Sequence, residues 1–230
     1  MSRARATFLW LLVVSVPAAG CDARDHDPGT AEESTLRYVA LGDSYTIGTS
    51  VAEGERWPNQ LDARIGELEL VGNLAVNGYA SSDVIGEQLP QLEPLRPEFI
   101  SLLIGVNDVV RGVPDSQYAA NVAVILEELL THVSPEHVVC VATPDYTVTP
   151  QGEAYGDPAQ QSDGIVRTNA ILREACEGRG VRFVPDVFEI SQRARDDESL
   201  VAEDGLHPSG AQYRLWVDAI APVAEELVRD

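Results

Sequence analysis

Short apolar runs alternating with segments of helical period are what most limit the folds open to this chain of 230 residues. Leu36–Leu41 runs into Gly42, Leu68–Leu74 follows, and Phe99–Ile104 is stopped by Gly105. His137–Ala142 and Val181–Val184 complete the set of strand candidates. Between them the spacing predicts helices over Arg56–Ile65, from a cap at Ser82 or Asp83 through Leu92, over Asp115–His132 and over Asp163–Glu177, with Gly178 and Gly180 closing the last of these. A final helix is predicted from Pro208 to Val228. The strand candidates are rich in Val, Ile and Leu and carry few polar positions. Strands of that kind are buried on both faces, which is the property of a parallel sheet covered by helices on each side. Open sheets of this class bind ligands at the carboxyl ends of their strands, and the unusual residues of this chain fall just there.

Charge narrows the chemistry. The formal net charge is -21, and every basic side chain is Arg. Such an excess of carboxylates repels phosphate backbones and speaks against nucleic-acid binding. The amino terminus predicts export: Arg3 and Arg5 precede an apolar run, Thr7–Val16, and small residues lead to Cys21. That reads as a signal peptide over residues 1–20, too short for a comfortable transmembrane span. Small residues directly before Cys21 are similar to a bacterial lipobox, with Ala18 where Leu is usual, so Cys21 is the expected lipidation site and the membrane an expected partner; the alternative is ordinary cleavage nearby, with Cys21 lost or free and the protein secreted. Residues 21–35 are polar and lack apolar periodicity, as a flexible tether would, leaving 36–230 as the folded domain. Cys140 and Cys176 either pair in an oxidising compartment or stay as separate buried thiols. Their spacing gives no support to a metal site, and no cofactor is expected.

Gly42-Asp43-Ser44-Tyr45 follows the first strand at once. A serine on a tight turn above the sheet edge is well placed as a nucleophile. Near the other end, Asp204-Gly205-Leu206-His207-Pro208 brings a carboxylate and an imidazole three residues apart, close enough for the acid to orient the ring and steady its protonated form. Acyl transfer also needs donors for an oxyanion. Asn107, in Gly105-Val106-Asn107-Asp108, offers an amide; Gly78 offers a backbone N–H without a side chain; the Ser44 N–H is a third. Each motif alone is an ordinary turn or cap. Four of them, each after a different strand, are harder to dismiss.

These blocks resemble the GDSL/SGNH hydrolase family. Gly-Asp-Ser at Ser44, the glycine at 78, Gly-x-Asn-Asp at Asn107 and Asp-x-x-His at Asp204 and His207 arrive in the family's order, and the likeness spans Leu36 to Asp230. Tyr45 stands where many members have Leu. The resemblance implies a flavodoxin-like three-layer α/β/α sandwich with a five-stranded parallel sheet. It also implies hydrolysis of acyl esters or thioesters by Ser44, with His207 as base, Asp204 orienting it, and Ser44, Gly78 and Asn107 as the oxyanion hole, without a metal. Asp43 and Asp108 are expected to support their turns. Residues 145–158 form a long loop that is either a wall or lid over the acyl site or only a surface excursion. The same residues would serve an acyltransferase acting on an envelope sugar or lipid, and an inactive surface binding protein on this fold is a third reading. The acyl group, the alcohol and the oligomeric state are not legible.

Overall fold

The computed structural model describes residues 35–229. The expected signal peptide, the lipidation site at Cys21 and all of the tether but Thr35 lie outside the described residues. Among the described residues five parallel strands form one sheet: β1 (Leu36–Gly42), β2 (Leu68–Asn73), β3 (Phe99–Leu103), β4 (Val138–Val141) and β5 (Arg182–Val184), in the order β2-β1-β3-β4-β5. Helices lie on both faces, as the strand composition requires.

Alternation along each strand sorts side chains to two cores. Tyr38, Ala40, Phe99, Val139 and Val141 face one layer, with helices α2 (Trp57–Arg64), α8 (Asp186–Gln192) and α9 (Gly210–Leu227). Val39, Leu41, Ile100, Leu102 and Cys140 face the other, with α6 (Asp115–His132) and α7 (Pro158–Glu177). The polar residue inside β3, Ser101, is satisfied by the Tyr38 hydroxyl at 2.7 Å. Cys140 and Cys176 are both buried free thiols in the second core.

Three helices differ from their sequence expectations. The helix expected to be capped by Ser82 or Asp83 is instead capped at Ala80 and begins as α3 (Ser81–Asp83), where Asp83 reaches back to accept the Ala80 N–H at 2.8 Å. From there the chain stays helical to Leu95, widening over Val84–Gln88, tightening over Leu89–Gln91 and ending in α4 (Leu92–Leu95). Pro90 and Pro94 explain the irregularity, because each removes a backbone donor and crowds the turn before it. Next, α7 begins at Pro158, not Asp163: Asp157 caps it by accepting from Gln160 N, with proline at the first helical position. Finally, α8 was absent from the sequence pattern altogether.

The sheet order puts β1 between β2 and β3. The connection from β1 turns to one side and the next crosses back to the other, so a crevice opens at the carboxyl end of β1.

Candidate active site

The first element of the site is the sharp exit from β1. Gly42 sits at φ +155, and a Cβ added there would lie 2.5 Å from the Leu103 backbone oxygen. No other residue type fits. The buried Gln88 amide fastens this point, its Oε1 accepting from Gly42 N at 3.0 Å and its Nε2 donating to Gly42 O at 2.6 Å. Asp43 then caps the short helix α1 (Ser44–Ile47), its carboxylate accepting from Tyr45 N at 3.0 Å. Ser44 is thereby held at the first helical position, 7% exposed, above the sheet edge. Asp43 is completely buried, and burial pushes its carboxyl up to about 7; the nearby Asp108 adds to this, against the Tyr45 N–H and the Asn107 amide. It supports the turn, as expected, and does not line the cavity.

The imidazole arrives from beyond β5. Asp204 Oδ1 accepts from the backbone N–H groups of Leu206 and His207, each at 2.9 Å, and its Oδ2 lies 2.6 Å from His207 Nδ1. With Nδ1 donating to the acid, Nε2 is the ring nitrogen free to accept a proton. Burial raises the Asp204 pKa, but bonds from Ser50, the His207 ring and the two backbone groups outweigh it, holding the carboxyl well below the usual carboxylate range. A bridge between Val201 and Pro208 closes the loop, and Ser209 caps α9 directly after it. The Tyr45 ring packs 5.1 Å from the imidazole.

The residues expected as oxyanion donors stand opposite. Gly78 has φ +81, and nothing lies within 4 Å of a Cβ built on it, so conformation and not crowding requires glycine. Asn107 lies in the first turn of α5 (Val106–Val110), its amide donating to Tyr79 O at 2.9 Å and to Asp43 Oδ2 at 3.3 Å. The end of α5 grips the same turn: Arg111 donates to Gly78 O at 2.6 Å and pairs with Asp83 at 2.9 Å. Asp108, also buried and raised in pKa chiefly by burial, accepts both the N–H and the hydroxyl of Ser81. The two donor segments are thus one rigid unit.

Ser44, Gly78, Asn107 and His207 line one cavity of about 250 Å³, with Asp204 behind His207. No direct hydrogen bond joins the Ser44 hydroxyl to the His207 ring among the described residues; the two groups meet across the cavity. Its walls are Tyr45, Val106, Val110, Leu206, Tyr146 and Tyr155. The last two come from the long 145–158 loop, which is therefore a wall. Gln151 N donates to Gly205 O at 2.9 Å and ties that wall to the loop of Asp204 and His207. Sequence reasoning missed Gln88, Thr49, Ser50 and Arg111, whose partners lie far away along the chain. His132 sits by Glu128, away from the cavity.

Residues 40–215 match the model of the GDSL-like lipase/acylhydrolase family. The chain is 26% identical over 207 residues to an arylesterase of Vibrio mimicus, covering 86% of this chain and 92% of the relative. It is 25% identical over 236 aligned positions to a GDSL lipase of Mycobacterium tuberculosis, covering 96% and 95%. Among solved structures, the acetylxylan esterase Axe2 from Geobacillus stearothermophilus shares the fold, with a TM-score of 0.62 at 17% identity over 83% of this chain and 94% of that one.

Proposed function

The chain belongs to the GDSL-like lipase/acylhydrolase family, and from that premise we propose that it hydrolyses carboxylic esters through an acyl-enzyme on Ser44. One observation carries the reading. A serine at a helix start, an imidazole backed by a carboxylate, a left-handed glycine and an asparagine amide converge on a single apolar-walled cavity.

In the first step the Ser44 hydroxyl oxygen attacks the ester carbonyl carbon while its proton passes to His207 Nε2. Asp204 stabilises the imidazolium so formed. The carbonyl oxygen takes the negative charge and is met by the N–H groups of Ser44 and Gly78 and by the Asn107 amide, which exchanges its long 3.3 Å contact with Asp43 for the oxyanion. His207 returns the proton to the alkoxide as the C–O bond breaks, releasing the alcohol. Water then attacks the acyl-enzyme with His207 again as base, and the acid leaves with Ser44 restored.

The size of the cavity suits a short or medium acyl group. p-Nitrophenyl esters from acetate upward should be hydrolysed with an optimum among the shorter chains, and a fluorophosphonate should add its mass to the peptide containing Ser44. A folded protein that neither turns over any chain length nor takes up the label would sink the reading.

Tyr155 stands at the rim, 42% exposed, edge-on to the buried Tyr146 at 5.8 Å. Tyr146 is anchored to Gln161 at 2.6 Å, so Tyr155 presents an aromatic surface from a fixed support. That surface suits the leaving group of an aryl ester. Tyr155→Ala should raise KM for phenyl and naphthyl acetates roughly two- to tenfold, the range for one aromatic contact, and leave ethyl acetate unaffected. Equal changes for both substrate types would remove Tyr155 from recognition.

A further inference from the structure

Two hydroxyl side chains directly after α1 take no part in the chemistry just described, and they reach in opposite directions. Thr49 Oγ1 donates to Asn77 Oδ1 at 2.6 Å, beside the Gly78 turn. Ser50 Oγ donates to Asp204 Oδ2 at 2.6 Å, across 154 residues of sequence. The segment itself is fixed to the nucleophile, since Thr49 N donates to Ser44 O at 3.1 Å. Ser50 also has φ +66, a left-handed backbone that an L-residue with a Cβ adopts at a cost. A serine kept in that conformation, where glycine would rest without strain, has its hydroxyl as the distinguishing asset.

The oxygen it binds is informative. Asp204 Oδ1 is locked by two backbone N–H groups, whereas Oδ2 carries the His207 ring. With the ring alone on it, Oδ2 is free to rock about the carboxylate axis and the imidazole with it. A second donor fixes the oxygen in place. An exposed serine on a surface carboxylate ordinarily counts for little, but here the carboxylate holds the base.

We propose that Ser50 is a positioning residue that fixes Asp204 Oδ2, and through it the His207 ring, relative to Ser44. Together with Thr49 it joins the base loop and the oxyanion turn to the nucleophile helix. This rests on the esterase reading for its kinetic consequences, though the contact itself does not.

The test compares Ser50→Ala, Ser50→Gly and Ser50→Thr in the full protein. Ala and Gly should lower kcat on p-nitrophenyl acetate roughly three- to tenfold, a small share of what a charge-assisted bond can supply, with KM within about twofold of wild type. Thr keeps the hydroxyl and should retain most of kcat. Thermal stability should run in a different order: Gly relieves the left-handed strain and should melt no lower than Ala, while β-branched Thr should melt lowest. A merely structural role would make activity follow stability. NMR of the His207 Nδ1–H proton, without substrate, gives the second readout: its exchange with solvent should quicken in Ala and Gly and stay slow in Thr. Unchanged kcat in both Ala and Gly overturns the proposal, and so does unchanged proton exchange. If the wild type fails to turn over esters or to take the phosphonate, the esterase reading falls instead, and the exchange measurement still decides the role of Ser50.

Discussion

Ser44→Ala should abolish ester hydrolysis, lowering turnover by at least about four orders of magnitude, and leave the melting temperature near that of the wild type. The hydroxyl is dispensable to the fold: the cap on α1 is made by the Asp43 side chain to Tyr45 N, and alanine fits the first helical position. The Ser44 N–H, Gly78 and Asn107 survive the change, so the oxyanion site stays and only the nucleophile goes. His207→Ala should cost about as much, and the double variant little more than either single one, because nucleophile and base act as one unit. Asp204→Asn should follow closely, since the ring loses the charge that favours its protonated form. Steady-state kinetics on one p-nitrophenyl ester, with melting curves alongside, checks all of these. Additive losses in the double variant would mean that Ser44 and His207 do not work together.

The largest expected loss of stability lies two residues away. Gly42→Ala should cost about 3–5 kcal/mol, as forced overpacking with backbone strain does, and lower the melting temperature by about 10 °C. The new methyl would stand 2.5 Å from the Leu103 backbone oxygen. That oxygen belongs to β3, an interior strand paired on both sides, so it has little room to withdraw. Gln88→Ala reaches the same point from the other side. It would leave the Gly42 N–H buried without its Gln88 partner, at about 1–3 kcal/mol, and leave the Gly42 C=O with only the long 3.4 Å bond from Val76 N. Melts of the two variants decide the matter; a Gly42→Ala protein as stable as wild type would mean that β1 and β3 separate easily at this end.

Much of this was legible beforehand because the site sits at strand ends. Gly42 and Gly105 mark where buried strands stop, and Ser44, Gly78, Asn107 and His207 are reactive or permissive types in the turns that follow. The strands were equally plain, since runs buried on both faces carry few polar residues, Ser101 of β3 among them. The irregular helix from Ser81 to Leu95 was less so. Its two prolines contradict its apolar spacing, and which of them prevails depends on packing against Val39 and Leu41. The cap at Asp157 was hidden in a loop rich in glycine and proline. Gln88, Ser50 and Thr49 carried no local signal at all, because a hydrogen bond spanning 46, 154 or 28 residues exists only once the sheet order has brought its ends together.

The sheet order has a consequence in time. In the proposed mechanism the nucleophile and oxyanion donors come from β1, β2 and β3 and the turns after them, all within residues 42–107, while the base waits for residue 207. A chain emerging from the ribosome therefore carries an armed-looking serine that cannot be deprotonated for most of its synthesis.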